Sequence, residues 1–123
     1  PVITGLVDRM TRRTHLVDWV SGACLLIRRQ DLDAAGGFDP RFFMYAEDVD
    51  LCAAVRRRGR SVLFSADPQV VHLRGRSAAS APDRVQRAYR RSQLAFYAKH
   101  HPAWVPFLKI YLKILGRLPD TPT

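Results

Sequence analysis

Three carboxylates in four residues, Glu47, Asp48 and Asp50, close the stretch from Gly36 to Cys52, and no other stretch constrains the fold as much. Gly36-Gly37 breaks whatever precedes it. Phe38, Phe42, Phe43 and Tyr45 then make an aromatic segment that a plain solvated loop could not carry, and Pro40 prevents an early helix start. The acids open an amphipathic helix expected over residues 48–58, with Leu51, Cys52 and Val55 on one face. Arg56, Arg57 and Arg58 favour its C-terminal end through the dipole, and Gly59 is its stop. Carboxylates at a helix N-terminus are stabilised by the unpaired N–H groups there. Two readings follow. The acids are an ordinary first turn, or they stand at a loop–helix junction and draw a proton from a bound molecule.

Residues 1–16 read as a weak strand and a basic loop, with His15 a surface histidine. Residues 17–28 are β-rich and apolar, as in a strand buried on both faces. Gly22 within it suggests close approach by a ligand or another backbone. Residues 30–35 read as a short helix stopped by Gly36, so Asp31 and Asp33 are solvated helix carboxylates and not a metal-binding Asp-x-Asp pair. Phe38 and Phe42 are expected in the core, while Phe43 and Tyr45 are open to either core or ligand. Strands are expected at 61–65 and 69–73, separated by the Asp67-Pro68 turn. A small-residue linker follows. Then come two helices, one entered at Pro82 and running to about His100, the other from 103 to 118 beyond the Pro102 stop.

Charge narrows the partners. The 123 residues carry a formal net charge of +9, which calls for an anionic partner. From His72 to Arg117 the basic residues are Arg74, Arg76, Arg84, Arg87, Arg90, Arg91, Lys99, Lys109, Lys113 and Arg117, against Asp83 alone. The basic character thus belongs to the last third. On the final helix Lys109, Lys113 and Arg117 form a stripe beside Trp104, Val105, Phe107, Leu108, Ile110, Tyr111, Leu112, Ile114 and Leu115. That pattern suits a helix lying on an anionic membrane, and equally one packed on another part of a protein. Cys24 and Cys52 are too few and too far apart for a zinc or redox site, and both are expected buried. Neither a signal peptide nor a bilayer-long apolar run is visible.

The strings Ser21-Gly22-Ala23, Gly36-Gly37-Phe38-Asp39, Phe42-Phe43-Met44-Tyr45, Glu47-Asp48-Val49-Asp50-Leu51 and Val70-Val71-His72, in this order, resemble the acceptor-side half of family 2 glycosyltransferases. Within that family they look like the bacterial rhamnosyltransferase-like branch, which builds cell-surface polysaccharide. The resemblance runs from about Asp18 to Ser77 and weakly on to His101. It implies an α/β chain, the C-terminal part of a GT-A fold, followed by two C-terminal helices. Residues 1–77 would be the acceptor-side half of the catalytic domain and residues 78–123 a basic helical extension.

By the same resemblance, Asp48 is the catalytic base that takes the proton of an acceptor hydroxyl as it attacks the anomeric carbon with inversion. Glu47 orients the acceptor or the base, and Asp50, pointing away, is structural. Trp19, Ser21, Gly22, Phe43 and Tyr45 lie beside sugar and acceptor. His72 ligates a divalent cation, Mg2+ or Mn2+, and Arg74 and Arg76 contact the diphosphate of the nucleotide-sugar donor. The acceptor would be a glycan or a lipid-linked sugar, and the place of work the cytoplasmic face of the cell membrane, with no nucleic acid bound. The chain departs from the family in lacking the nucleotide-binding half and its strand-end Asp-x-Asp. A fragment is therefore expected, inactive in isolation and prone to self-association through an unpaired sheet edge. The rival reading is a basic, non-enzymatic module for nucleic acid or anionic membrane.

Overall fold

The computed structural model describes residues 11–42, 44–72 and 82–119. In them short strands and helices alternate: β1 (His15–Val17), α1 (Arg29–Ala35), α2 (Glu47–Arg57), β2 (Val62–Phe64), α3 (Pro82–His100), a 3-10 turn (Pro102–Trp104) and α4 (Val105–Ile114). The first three helices begin and end close to where the sequence places them, while the last, expected over 103–118, ends at Ile114 ahead of Gly116, which turns left-handed at φ +63°. Gly36 adopts φ +87° and its N–H donates to the Asp33 carbonyl, while the Gly37 N–H reaches the Leu32 carbonyl. This closes α1 with a left-handed turn that only glycine adopts without cost. Gly59 ends α2 in the same way, at φ +76°.

β1 and β2 pair antiparallel, with Leu16 opposite Leu63 and Val17 opposite Val62. The chain is thus α/β in composition, but among the described residues the sheet is a two-stranded ribbon. Among the described residues two expected strands are absent. Residues 18–28 are irregular: the Cys24 N–H donates to the Ser21 carbonyl, so Ser21-Gly22-Ala23-Cys24 is a turn. Ser and Gly in sequence supply turn chemistry that outweighs the β propensity of their neighbours. Leu26 and Cys24 are exposed in consequence, where both were expected buried. Residues 69–72 are also irregular, with Val70 and Val71 exposed. The boundary expected near residue 77 lies outside the described residues.

The core gathers on the inner face of α2. Leu51, Cys52 and Val55 are buried, and so is Phe42 in the loop before the helix. Each such side chain contributes about 1.5–3 kcal/mol by leaving water. Phe38, expected beside Phe42, is instead 55% exposed. Its neighbour Asp39 is the side chain turned inward, bonded by Arg41 at 2.6 Å and by Lys99 of α3 at 2.8 Å. α3 is fastened to α2 through one buried carboxylate. Asp50, 3% exposed, takes Lys99 at 2.7 Å on one oxygen and His100 at 2.6 Å on the other. Asp31 is less solvated than expected, since Arg28 and Arg60 both bond to it, and the Arg28 hydrogen bond holds its carboxyl below the usual range.

Candidate functional site

The turn that leads into α2 is strained. Tyr45 and Ala46 sit consecutively at φ +70° and +67°. A side chain in the left-handed region costs on the order of 1–2 kcal/mol per residue, and such strain collects where a structure must display particular groups. Here it presents Tyr45, Glu47 and Asp48 on one side while the Ala46 carbonyl starts the helix by accepting the Asp50 N–H at 2.9 Å. The fold anchors this turn from α3: the buried Ser92 hydroxyl donates to the Met44 carbonyl at 2.7 Å.

Asp48 is oriented from two directions. Its Oδ2 accepts the Gly22 N–H at 2.8 Å, and its Oδ1 accepts the N–H of Val49 at 2.8 Å. Each oxygen retains a further lone pair. Glu47 carries a buried Oε2 with no hydrogen-bond partner among the described residues, and leaving a buried acceptor unmet costs about 1–3 kcal/mol. Both carboxylates line a cleft of about 450 Å³. Trp19 and Ser21 form one side of it, and Tyr45 stands at its edge. The opposite wall is α3, through Tyr89, Gln93, Phe96 and Tyr97. The Tyr45 and Tyr89 rings meet edge to face at 5.3 Å, and each is about two-fifths exposed toward the opening, at 40% and 41%. The arrangement suits a ligand with hydroxyls to bond and C–H faces to cover.

Of the residues singled out in the sequence, Asp48, Glu47, Trp19, Ser21 and Tyr45 therefore come together in one cleft. Gly22 serves it indirectly, through its N–H on Asp48. A Cβ placed on Gly22 would meet Asp48 at 3.6 Å, an ordinary contact, so the backbone donor matters there and not the absent side chain. Phe43, Arg74 and Arg76 lie outside the described residues. His72 is exposed and does not line the cleft. Among the described residues no group of three His, Cys, Asp or Glu side chains could hold a metal ion, so these residues do not make a cation site by themselves.

The wall supplied by α3 was not foreseen. Tyr89, Phe96 and Tyr97 are visible in the sequence as apolar marks of a helix, but spacing alone does not say what that helix faces. The available signal was Gln93, a polar residue at i+4 from Tyr89 on an otherwise aromatic face.

A family model described as "Glycosyltransferase like family 2" matches residues 6–106. An N-acetylglucosaminyl-diphospho-decaprenol L-rhamnosyltransferase of Mycobacterium tuberculosis is 35% identical over 97 residues, covering 79% of this chain and 32% of that protein. Rhamnosyltransferase WbbL of Escherichia coli is 43% identical over 44 residues, 36% of this chain and 17% of that protein. The O-antigen biosynthesis protein RfbC of Myxococcus xanthus is 29% identical over 96 residues, 77% of this chain and 7% of that protein. The chain thus spans at most about a third of the length of these curated relatives. No solved structure matches it significantly.

Proposed function

The chain belongs to the family 2 glycosyltransferases and is rhamnosyltransferase-like, and from that premise we propose that it forms the acceptor side of an inverting transferase. The observation that carries this reading is Asp48: a carboxylate at the head of α2, held by two backbone N–H groups, opening on a cleft with aromatic walls. The proton of an acceptor hydroxyl passes to Asp48. The hydroxyl oxygen then forms its bond to the anomeric carbon of the donor sugar while the bond from that carbon to the nucleotide diphosphate breaks. Glu47, next along the cleft, accepts a second hydroxyl hydrogen through its unmet Oε2 and so fixes the acceptor. Proper placement of the reacting groups removes much of the barrier before proton transfer begins.

A divalent cation, when bound, neutralises the leaving diphosphate. His72 would give one ligand, and the others would come from outside the described residues. The acceptor is a glycan or a lipid-linked sugar, and α4 sets the enzyme on the membrane that carries it. Trp104, Phe107, Ile110, Tyr111 and Ile114 are exposed on α4, and Lys109 and Lys113 flank them. No described helix is long and apolar enough to cross a membrane, so the helix would lie in the interface.

The experiment is Asp48→Asn in the complete protein that carries this chain. A general base contributes roughly 10²–10⁴-fold, so transfer from a labelled nucleotide sugar should fall by that factor while nucleotide binding persists. Equal loss of transfer and nucleotide binding would remove Asp48 from the role of base.

A further inference from the structure

Arg90 stands between two cavities. Its guanidinium carbon lies 5.1 Å from the centre of the Tyr89 ring, and its Nη1 donates to Gln93 Oε1 at 2.8 Å. Both of those residues line the cleft. The same arginine lines a second cavity, of about 250 Å³, where the first half of α3 meets the end of α4. Arg87 and Arg117 stand on its wall as well, and Asp83 is the one carboxylate there. Among the described residues neither Arg87 nor Arg117 has an ion pair, and the buried Nε of Arg90 has no hydrogen-bond partner. Three guanidiniums against one acid, with a desolvated N–H still to be met, describe a pocket for a multiply charged oxyanion.

We infer that this cavity takes the diphosphate of a lipid-linked acceptor whose sugar occupies the cleft. The inference rests on the reading of the cleft as the acceptor site. Two features make it a diphosphate joined to that sugar and not a separate ion. Gln93 follows Arg90 by three residues, about 5 Å along the helix axis, which is the order of the distance from a pyranose ring to the phosphate on its anomeric oxygen. Arg90 itself bonds to the sugar-side wall, so one side chain touches both parts of the ligand. A third feature accounts for the lipid. Leu118 lines the basic cavity, and Ile114 and Leu115, exposed apolar side chains, stand at the end of α4 just before it in the chain. α3 and α4 would then read sugar, diphosphate and hydrocarbon in that order.

The test is amide NMR titration of the chain with four soluble probes: methyl N-acetylglucosaminide, inorganic pyrophosphate, N-acetylglucosamine 1-diphosphate bearing a citronellyl chain, and short-chain phosphatidylglycerol. The citronellyl diphosphate should bind at least tenfold more tightly than the methyl glycoside and shift amides at both Tyr89–Gln93 and Gly116–Arg117. Pyrophosphate should shift the Arg87, Arg90 and Arg117 amides alone. The double variant Arg87→Gln, Arg117→Gln should reduce the citronellyl diphosphate to the affinity of the methyl glycoside, and Arg87→Lys, Arg117→Lys should recover part of the difference. Equal affinity of the two sugar probes for the unaltered chain, or no effect of the double Gln variant, overturns the inference. So does phosphatidylglycerol binding as tightly as the citronellyl diphosphate, which would make the cavity a general headgroup site. The base assignment is judged separately, by transfer and nucleotide binding in Asp48→Asn, neither of which enters this titration. Arginine-dependent binding with no shift at Tyr45, Tyr89 or Gln93 overturns the acceptor reading of the cleft.

Discussion

Asp50→Ala should cost the protein about 2–4 kcal/mol of folding stability. The carboxylate is 3% exposed and carries Lys99 at 2.7 Å and His100 at 2.6 Å. Removing one member of a buried ionic cluster costs about 3–5 kcal/mol, because the partner is left uncompensated. Two features reduce that figure here. Lys99 keeps Asp39 at 2.8 Å, and its own side chain is 24% exposed. Burial opposes the charge on Lys99, but the hydrogen bonds to Asp39 and Asp50 more than offset it, so its pKa stands above the ordinary value. Urea unfolding followed by tryptophan fluorescence and far-ultraviolet circular dichroism reads the loss. With a slope of about 1–3 kcal/mol/M, the midpoint should fall by roughly 1–2 M. Asp33→Ala is the control: it breaks the Arg29 pair, 2.8 Å long, but its carboxylate side chain is 58% exposed. That substitution should cost about 0.5 kcal/mol or less. Equal losses from the two variants would refute the claim that burial, and not mere pairing, gives Asp50 its weight.

Three further outcomes follow from the same structure. Ala46→Gly relieves a left-handed residue at φ +67° and should raise stability by about 0.5–1 kcal/mol in the same urea assay, against the usual cost of glycine near a helix. The Arg41 hydrogen bond, followed by that of Lys99, holds the Asp39 carboxyl far below the usual carboxylate range. Its contribution is complete above its unfolded value near pH 3.9 and drains away as the pH falls through the folded value. Thermal midpoints measured between about pH 4 and pH 2 should therefore fall less steeply in Asp39→Asn than in the parent. Ile110→Glu with Ile114→Glu should abolish sedimentation with anionic liposomes, and added salt should weaken the parent's binding; retention by the double variant equal to the parent's would remove α4 as the membrane face.

Local chemistry was legible in the sequence and long-range chemistry was not. The acidic start of α2, the glycine stops after α1 and α2, and the Pro102 break each act within one turn of chain, so spacing sufficed to place them. Asp50 was rightly set apart as structural, because residues two apart on a helix do not share a face. Its partners could not be found this way: Lys99 and His100 are about fifty positions distant, and a basic helix end ordinarily answers to its own dipole. The same limit explains Tyr89 and Gln93, whose place opposite Asp48 is decided by how α3 docks. The irregular run after β1 failed for a different reason. Its Ser-Gly turn donates an N–H to Asp48, so a tertiary bond and turn chemistry together overrode apolar content.

The contact between Arg57 and His100 has a spectroscopic consequence. A guanidinium has only hydrogens to offer, and its Nη1 lies 3.0 Å from His100 Nδ1, so Nδ1 receives and the ring hydrogen sits on Nε2, toward Asp50. The imidazole is thereby locked into one tautomer by groups on α2, while it belongs to α3. Its two nitrogen-15 resonances should be widely separated when the helices are seated and should draw together when they part. A single ring thus reports, without any label added to the cleft, whether the wall opposite the acid is in place.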